Sequence, residues 1–191
     1  MTTETKAAPP GRIMLKNVRI AFPMLFEPKP FNDGKPMFGA AFILPPNHPQ
    51  VAEIKAKMKV VADAQWRPPS KVYQSIIAAD RTALHDGNTK AQYDGYEGNL
   101  FINANAKPSA KPTTLNAARE PVGDDGTIYA GCYVNASLEF WAQNNKWGQR
   151  VNAQLRGVQF FADGDAFAAG PPPAGEDEFD AADGTEASDF G

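Results

Sequence analysis

Tyr129, Tyr133 and Trp141 fall on one side of an alternating stretch, beside Asn135, Ser137, Glu139 and Gln143. The next stretch puts Arg150, Asn152, Gln154 and Arg156 on the same parity. Phe101 holds the corresponding place in GNLFINANA, and Lys107 and Lys111 follow it. Flat π-faces among guanidinium and ammonium groups suit a single-stranded nucleic acid, because every base offers a stacking face and every nucleotide a phosphate. Such stacking contributes roughly 1–3 kcal/mol per base and tolerates any sequence. The competing reading is that a helix, a loop or a second subunit covers these rings. Tyr93 and Tyr96, in AQYDGYEG with Lys90 nearby, either clamp a strand of nucleic acid or pin their own loop to the core.

Charge is divided along the chain. All 19 basic residues precede Asp163, with 13 of the 22 acidic ones, so the body carries a formal charge of +6. From Asp163 to Gly191 there are nine carboxylates and no Lys or Arg, hidden inside a net charge of −3. A basic body joined to an acidic tail suggests a polyanion binder that carries its own competitor or partner hook. Within the tail, Glu176, Asp177, Glu178, Phe179 and Asp180, then Asp189 and Phe190, set single aromatic residues among carboxylates. A partner with a basic rim and one apolar pocket could read that pattern.

Other chemistries are poorly supplied. His48 and His85 are the only histidines, and Asp80, His85, Asp86 and Asp94 have no recognised metal-ligand spacing. No P-loop, GxSxG or paired cysteine is present. The expectation is therefore a non-enzymatic chain with no cofactor and no metal. Single Cys132, among Ile128, Val134 and Leu138, reads as a buried structural thiol in a reducing compartment. MTTETKAAPPGR lacks an apolar core, and no apolar run approaches the ~20 residues of a membrane span. A cytoplasmic location is expected.

Strands must position the aromatic set. Arg12–Ile20 reads as a first strand stopped at Phe22-Pro23, and Lys35–Leu44 as a second. From Pro49 to Gln65 the period changes, and Val51, Ile54, Met58 and Val61 share a helical stripe. Lys55, Lys57 and Lys59 read as its solvated face, and Trp66-Arg67-Pro68-Pro69 as packing at its end. Lys71–Ala79 fits either a short helix or a strand, and residues 80–97 a long excursion. Gly98–Ala106 alternates, with Leu100, Ile102, Ala104 and Ala106 on one face. Ile128–Gln143 pairs with a strand carrying Val151, Ala153 and Leu155; opposing Arg150 to either Trp141 or Gln143 keeps the apolar sets together. The inventory predicts a mainly β domain, an OB-fold Greek-key barrel with one main helix, an open antiparallel sheet being the rival. Residues 1–11 form a flexible lead-in, 12–167 the domain, and 168–191 a disordered Pro/Gly linker with the acidic tail.

Three long segments carry a resemblance: GRIMLKNVRIAFPMLFEP, YEGNLFINANAKPSAKPTTLN and YAGCYVNASLEFWAQNNKWGQRVNAQLRGVQFFADGDAF. Over roughly residues 12–165 the chain resembles a family of bacteriophage single-stranded DNA-binding proteins, DUF2815, similar to the T7-type phage proteins. The resemblance implies an OB-fold that binds single-stranded DNA in replication or recombination. It also implies a disordered acidic C-terminus ending in an aromatic residue, which recruits replication proteins and regulates DNA access. Here Phe190 is penultimate, before Gly191, which bears on any recruitment through a terminal Phe carboxylate. The expected roles are base stacking for Phe101, Tyr129, Tyr133 and Trp141, with Tyr93 and Tyr96 as loop contacts. Lys107, Lys111, Arg150 and Arg156 would neutralise phosphates. The alternative function is a non-catalytic phage structural or interaction protein whose aromatic face is a subunit interface, a homodimer being one form of it.

Overall fold

A computed structural model describes residues 8–30, 34–68 and 71–168. The tail residues from Glu176 to Phe190 lie outside the described residues. Strands β1 (Arg12–Pro30), β2 (Pro36–Leu44), β4 (Leu100–Ala106), β6 (Tyr133–Asn145) and β7 (Gly148–Ala162) make the body of the fold. In space they run β4-β2-β1-β6-β7, and β7 then pairs with β4 in parallel, Ala104 opposite Ala153 and Asn105 opposite Gln154. That pairing closes a five-stranded barrel of the OB type. Two three-residue strands, β3 (Leu84–Asp86) on β4 and β5 (Thr113–Leu115) on β7, extend it.

Closure depends on the length of β1. Its 19 residues serve two partners: Arg12–Arg19 pair with β6, and Arg19–Pro30 pair with β2. A bulge between Leu15 and Val18 interrupts the pairing with β6, with Asn17 in the left-handed region at φ 54. Asparagine tolerates that conformation better than most residues, and the Asn17 N–H donates to Asn135 Oδ1 at 3.0 Å. Phe22-Pro23 does not stop the strand as expected. Phe22 at φ 48 and Pro23 sit in a second bulge, between Ala21 and Met24, where a missing N–H removes no ladder hydrogen bond.

The inward positions form one apolar core, with Leu15, Ile20, Phe42, Leu44, Ile102, Leu138 and Leu155 all buried. Helix α1 (Val51–Trp66) lays Ile54, Met58 and Ala62 against it, and Val51 and Val61 pack at the margin. Lys71–Ala78 is a second helix, α2, which settles the ambiguity of that segment. No helix of the described residues is long and apolar enough to cross a membrane. Cys132 is 0% exposed, and burial pushes its thiol pKa up, so the thiolate is disfavoured in the native state.

The apolar alternation from Ile128 does not all belong to a strand. Strand β6 begins at Tyr133, because Gly131 turns the chain at φ 103. A Cβ at Gly131 would overlap the Asp165 carbonyl, so this turn is the seat of a strap, residues 163–168. The Phe167 N–H donates to the Ala130 carbonyl at 2.9 Å, and Ala168 N–H to Asp94 Oδ2 at 3.0 Å. The Arg19 guanidinium lies 4.2 Å from the Phe167 ring centroid. Gly131→Ala should therefore lower stability by about 1–3 kcal/mol, from a forced left-handed conformation plus the clash. A urea titration checks this, and an unchanged midpoint would show that the strap yields without cost.

Candidate nucleic-acid interface

The β4–β7 closure brings two polar strand faces side by side. On β4 the outward residues Asn103 and Asn105 are exposed, and on β7 Arg150 and Gln154 are exposed with Asn152 half-buried. Together with Trp141 of β6 they line an open groove of about 570 Å³. Thr82, Ala83 and His85 form another part of its wall, and Met37, Lys107 and Ala110 complete it. Trp141 is 45% exposed, an unusual allowance for so large an apolar ring. Its cross-strand partner Asn152 donates to Gln143 Oε1 at 2.8 Å. Gly39, opposite Asn105, leaves room for the amide: a Cβ there would stand 2.6 Å from Asn105 Oδ1.

Charge in the groove is positive and open. Among the described residues no ion pair engages Lys107, Lys111 or Arg150. The acidic group nearest His85 is spent locally, Asp80 Oδ1 sitting 2.9 Å from His85 Nδ1. Four amides, one indole face and the cations of Lys107 and Arg150 give hydrogen-bonding, stacking and phosphate contacts in one place.

The aromatic set divides when placed in three dimensions. Trp141 and Tyr133 are eight residues apart on β6, about 27 Å at strand rise. Tyr133 lies under the Arg19 guanidinium at 5.6 Å, at the strap end of the barrel. Tyr129 is tied to the same strap: its hydroxyl donates to Asp163 Oδ1 at 2.8 Å and accepts from the Gly164 N–H at 3.1 Å. Neither tyrosine reaches the groove. Arg156 is exposed but held within 3.8 Å of Glu139, which also takes Arg12 at 3.0 Å. Lys111 stands one residue past the wall residue Ala110.

Phe101 and Tyr96 correct the expected open face most sharply. Each is only 2% exposed. Phe101 does point away from the barrel core, as alternation requires, but the excursion covers it. Tyr96 packs edge-on at 5.0 Å, and Ala21, Ala41 and Ile43 complete a second apolar cluster. Tyr93 meets Phe22 edge-on at 5.2 Å, and Phe167 of the strap closes the cluster. Burial, with Tyr93 close by, pushes the Tyr96 hydroxyl pKa up. Both loop tyrosines thus pin the excursion in this structure. Sequence reasoning missed the amides Asn103, Asn105, Asn152 and Gln154 as a group, and His85 and Met37 as wall residues. Their outward parity was visible in the alternation; the parallel pairing that joins the two faces was not.

Comparison with known proteins bears on this site. Residues 11–190 match the family model described as Enterobacter phage Enc34, ssDNA-binding protein. The fold is similar to the single-stranded DNA-binding protein of bacteriophage Enc34 solved in complex with ssDNA. That similarity has a TM-score of 0.71 and 28% identity, over 83% of this chain and 90% of that one. The single-stranded DNA-binding protein gp2.5 of bacteriophage T7 shares the fold at a TM-score of 0.53 and 12% identity, over 79% and 91% of the two chains. Putative protein p50 of Acyrthosiphon pisum secondary endosymbiont phage 1 is 43% identical over 175 residues, 88% of this chain and 92% of that protein. The expectation of a non-enzymatic phage protein accords with these matches. By the length of the family match, the chain belongs to the phage single-stranded DNA-binding family of Enterobacter phage Enc34.

Proposed function

We propose that this chain binds single-stranded DNA in the β4–β7 groove, largely without regard to base sequence, during phage DNA replication or recombination. The observation that carries the proposal is the groove itself: exposed Trp141 stands among four amides, with Lys107 and Arg150 in no ion pair among the described residues. The Enc34 relative, solved with ssDNA, supports the same ligand class. Bases would stack on Trp141 while Lys107, Arg150 and Lys111 meet phosphates, and the amides would take whichever base edges face them. Fluorescence anisotropy of labelled oligo-dT, against the matching duplex at two salt concentrations, tests it. Salt-sensitive binding to the single strand with little to the duplex is expected. No binding by folded protein would favour the structural or interaction reading.

The acidic tail belongs to the same proposal. Nine carboxylates from Asp163 onward, on a +6 body, make an intramolecular competitor for the groove, and Phe179 and Phe190 give a replication partner its apolar anchors. Removing residues 171–191 should tighten ssDNA binding, most at low salt, where charge competition is least screened. Equal affinity with and without those residues would remove the competitor role.

A further inference from the structure

Beyond the groove, the far end of the β6–β7 hairpin carries a second exposed indole. Trp147, 74% exposed, is the most exposed of the large apolar side chains described. The turn that presents it is braced: Asn145 Oδ1 accepts the Trp147 N–H at 2.9 Å, and Asn145 pairs with Gly148. Lys146 Nζ lies 4.9 Å from the Trp147 ring centroid, so an ammonium accompanies the stacking face. The path back to the groove is also cationic. The Arg81 carbonyl accepts the Val151 N–H at 3.1 Å, which fixes this loop against β7. From there the Arg81 guanidinium comes within 3.7 Å of where a side chain at Gly148 would stand. Its neighbours Thr82 and Ala83 are groove wall. Among the described residues no ion pair engages Arg81, Lys146 or Arg150.

We infer that Trp147 and Lys146, with Arg81 between them and the groove, form a second nucleotide subsite for the strand as it leaves the groove. This inference rests on the groove reading. Four residues separate the Trp141–Asn152 rung from the Asn145–Gly148 rung, about 14 Å at strand rise. A strand anchored at Trp141 needs roughly four more stacked bases, at ~3.4 Å each, to reach Trp147. Short oligonucleotides therefore occupy the groove alone, and longer ones occupy both sites.

The test compares the full chain with its Trp147→Ala and Trp147→Phe variants on oligo-dT of about 4 to 16 nucleotides, the range of OB-fold site sizes. Trp147 is largely exposed, so neither change should alter the unfolding midpoint. Trp147→Ala should leave the shortest oligonucleotides unaffected and weaken the longest by about 5- to 150-fold, the equivalent of one lost stacked base. Trp147→Phe should restore most of that loss, because a flat ring remains. Loss of equal size at every length, or no loss at any, overturns the subsite while leaving the groove reading standing. A change in self-association without DNA, with affinity unchanged, overturns it in favour of a protein contact. Failure of the unmodified chain to bind any length removes the groove reading and the subsite together.

Discussion

Phe101→Ala should lower the free energy of unfolding by about 3–5 kcal/mol, the usual cost of emptying a buried aromatic site. The ring is 2% exposed, with Tyr96 at 5.0 Å and His85 at 5.1 Å, between the barrel wall and the excursion. Excursion and strap meet on the same cluster, so they should become more accessible to protease than the barrel strands. Against a typical total of about 5–15 kcal/mol, this is a large fraction. The variant that remains folded should still bind ssDNA nearly as well as the parent chain, since Phe101 is not part of the groove wall. Urea denaturation and DNA titration on the same preparation check both halves. Unchanged stability with lost DNA affinity would put Phe101 on the binding surface after all.

The opposite pattern is expected at Trp141. Trp141→Ala should cost about 1–3 kcal/mol of ssDNA affinity, some 5- to 150-fold, with little change in stability. Its ring is half-solvated, so little burial is lost. Adding Arg150→Ala should weaken binding further and reduce the salt slope by about 0.7, one phosphate contact on a single strand. Arg156→Ala should move that slope much less, because Glu139 already holds the guanidinium. Salt titrations of the three variants separate stacking from neutralisation. If Arg156→Ala flattened the slope as much as Arg150→Ala, the DNA path would have to run along the other end of β7.

These two residues show where sequence reading succeeds and where it stops. Alternation assigned both rings correctly to the face away from the aliphatic core. It also restricted the β6–β7 pairing, and Gln143 opposite Arg150 is the register found. The 3.6-residue period located α1 within a residue or two. Periodicity reports a face, however, and not what covers it. Phe101 is covered by Tyr96 of the excursion, and Phe167, 66 positions away, packs against the same cluster; no local pattern encodes that arrangement. The two ends of the aromatic set failed for a related reason. Tyr129 and Tyr133 look equivalent to Trp141 along the chain, but about 27 Å of strand separates Tyr133 from Trp141, and the strap claims the tyrosine end. The groove needed the parallel β4–β7 pairing, a long-range contact between Asn105 and Gln154. Amide-rich alternation was visible on each strand; their meeting was not. Pro23 misled in the other direction, since a proline at a bulge costs the ladder nothing and the strand continues to Pro30.

The central claim is that single-stranded DNA lies across the β4–β7 closure beside Trp141. Photo-crosslinking the full chain to a halogenated-pyrimidine single strand, followed by mapping of the adducted peptides, reads that placement directly. Adducts are expected at Trp141 and in the peptides carrying Asn103–Lys107 and Arg150–Gln154, with none at Phe101 or Tyr96. Adducts concentrated at Tyr129, Tyr133 and the strap, with Trp141 untouched, would contradict it and move the binding surface to the opposite end of β6.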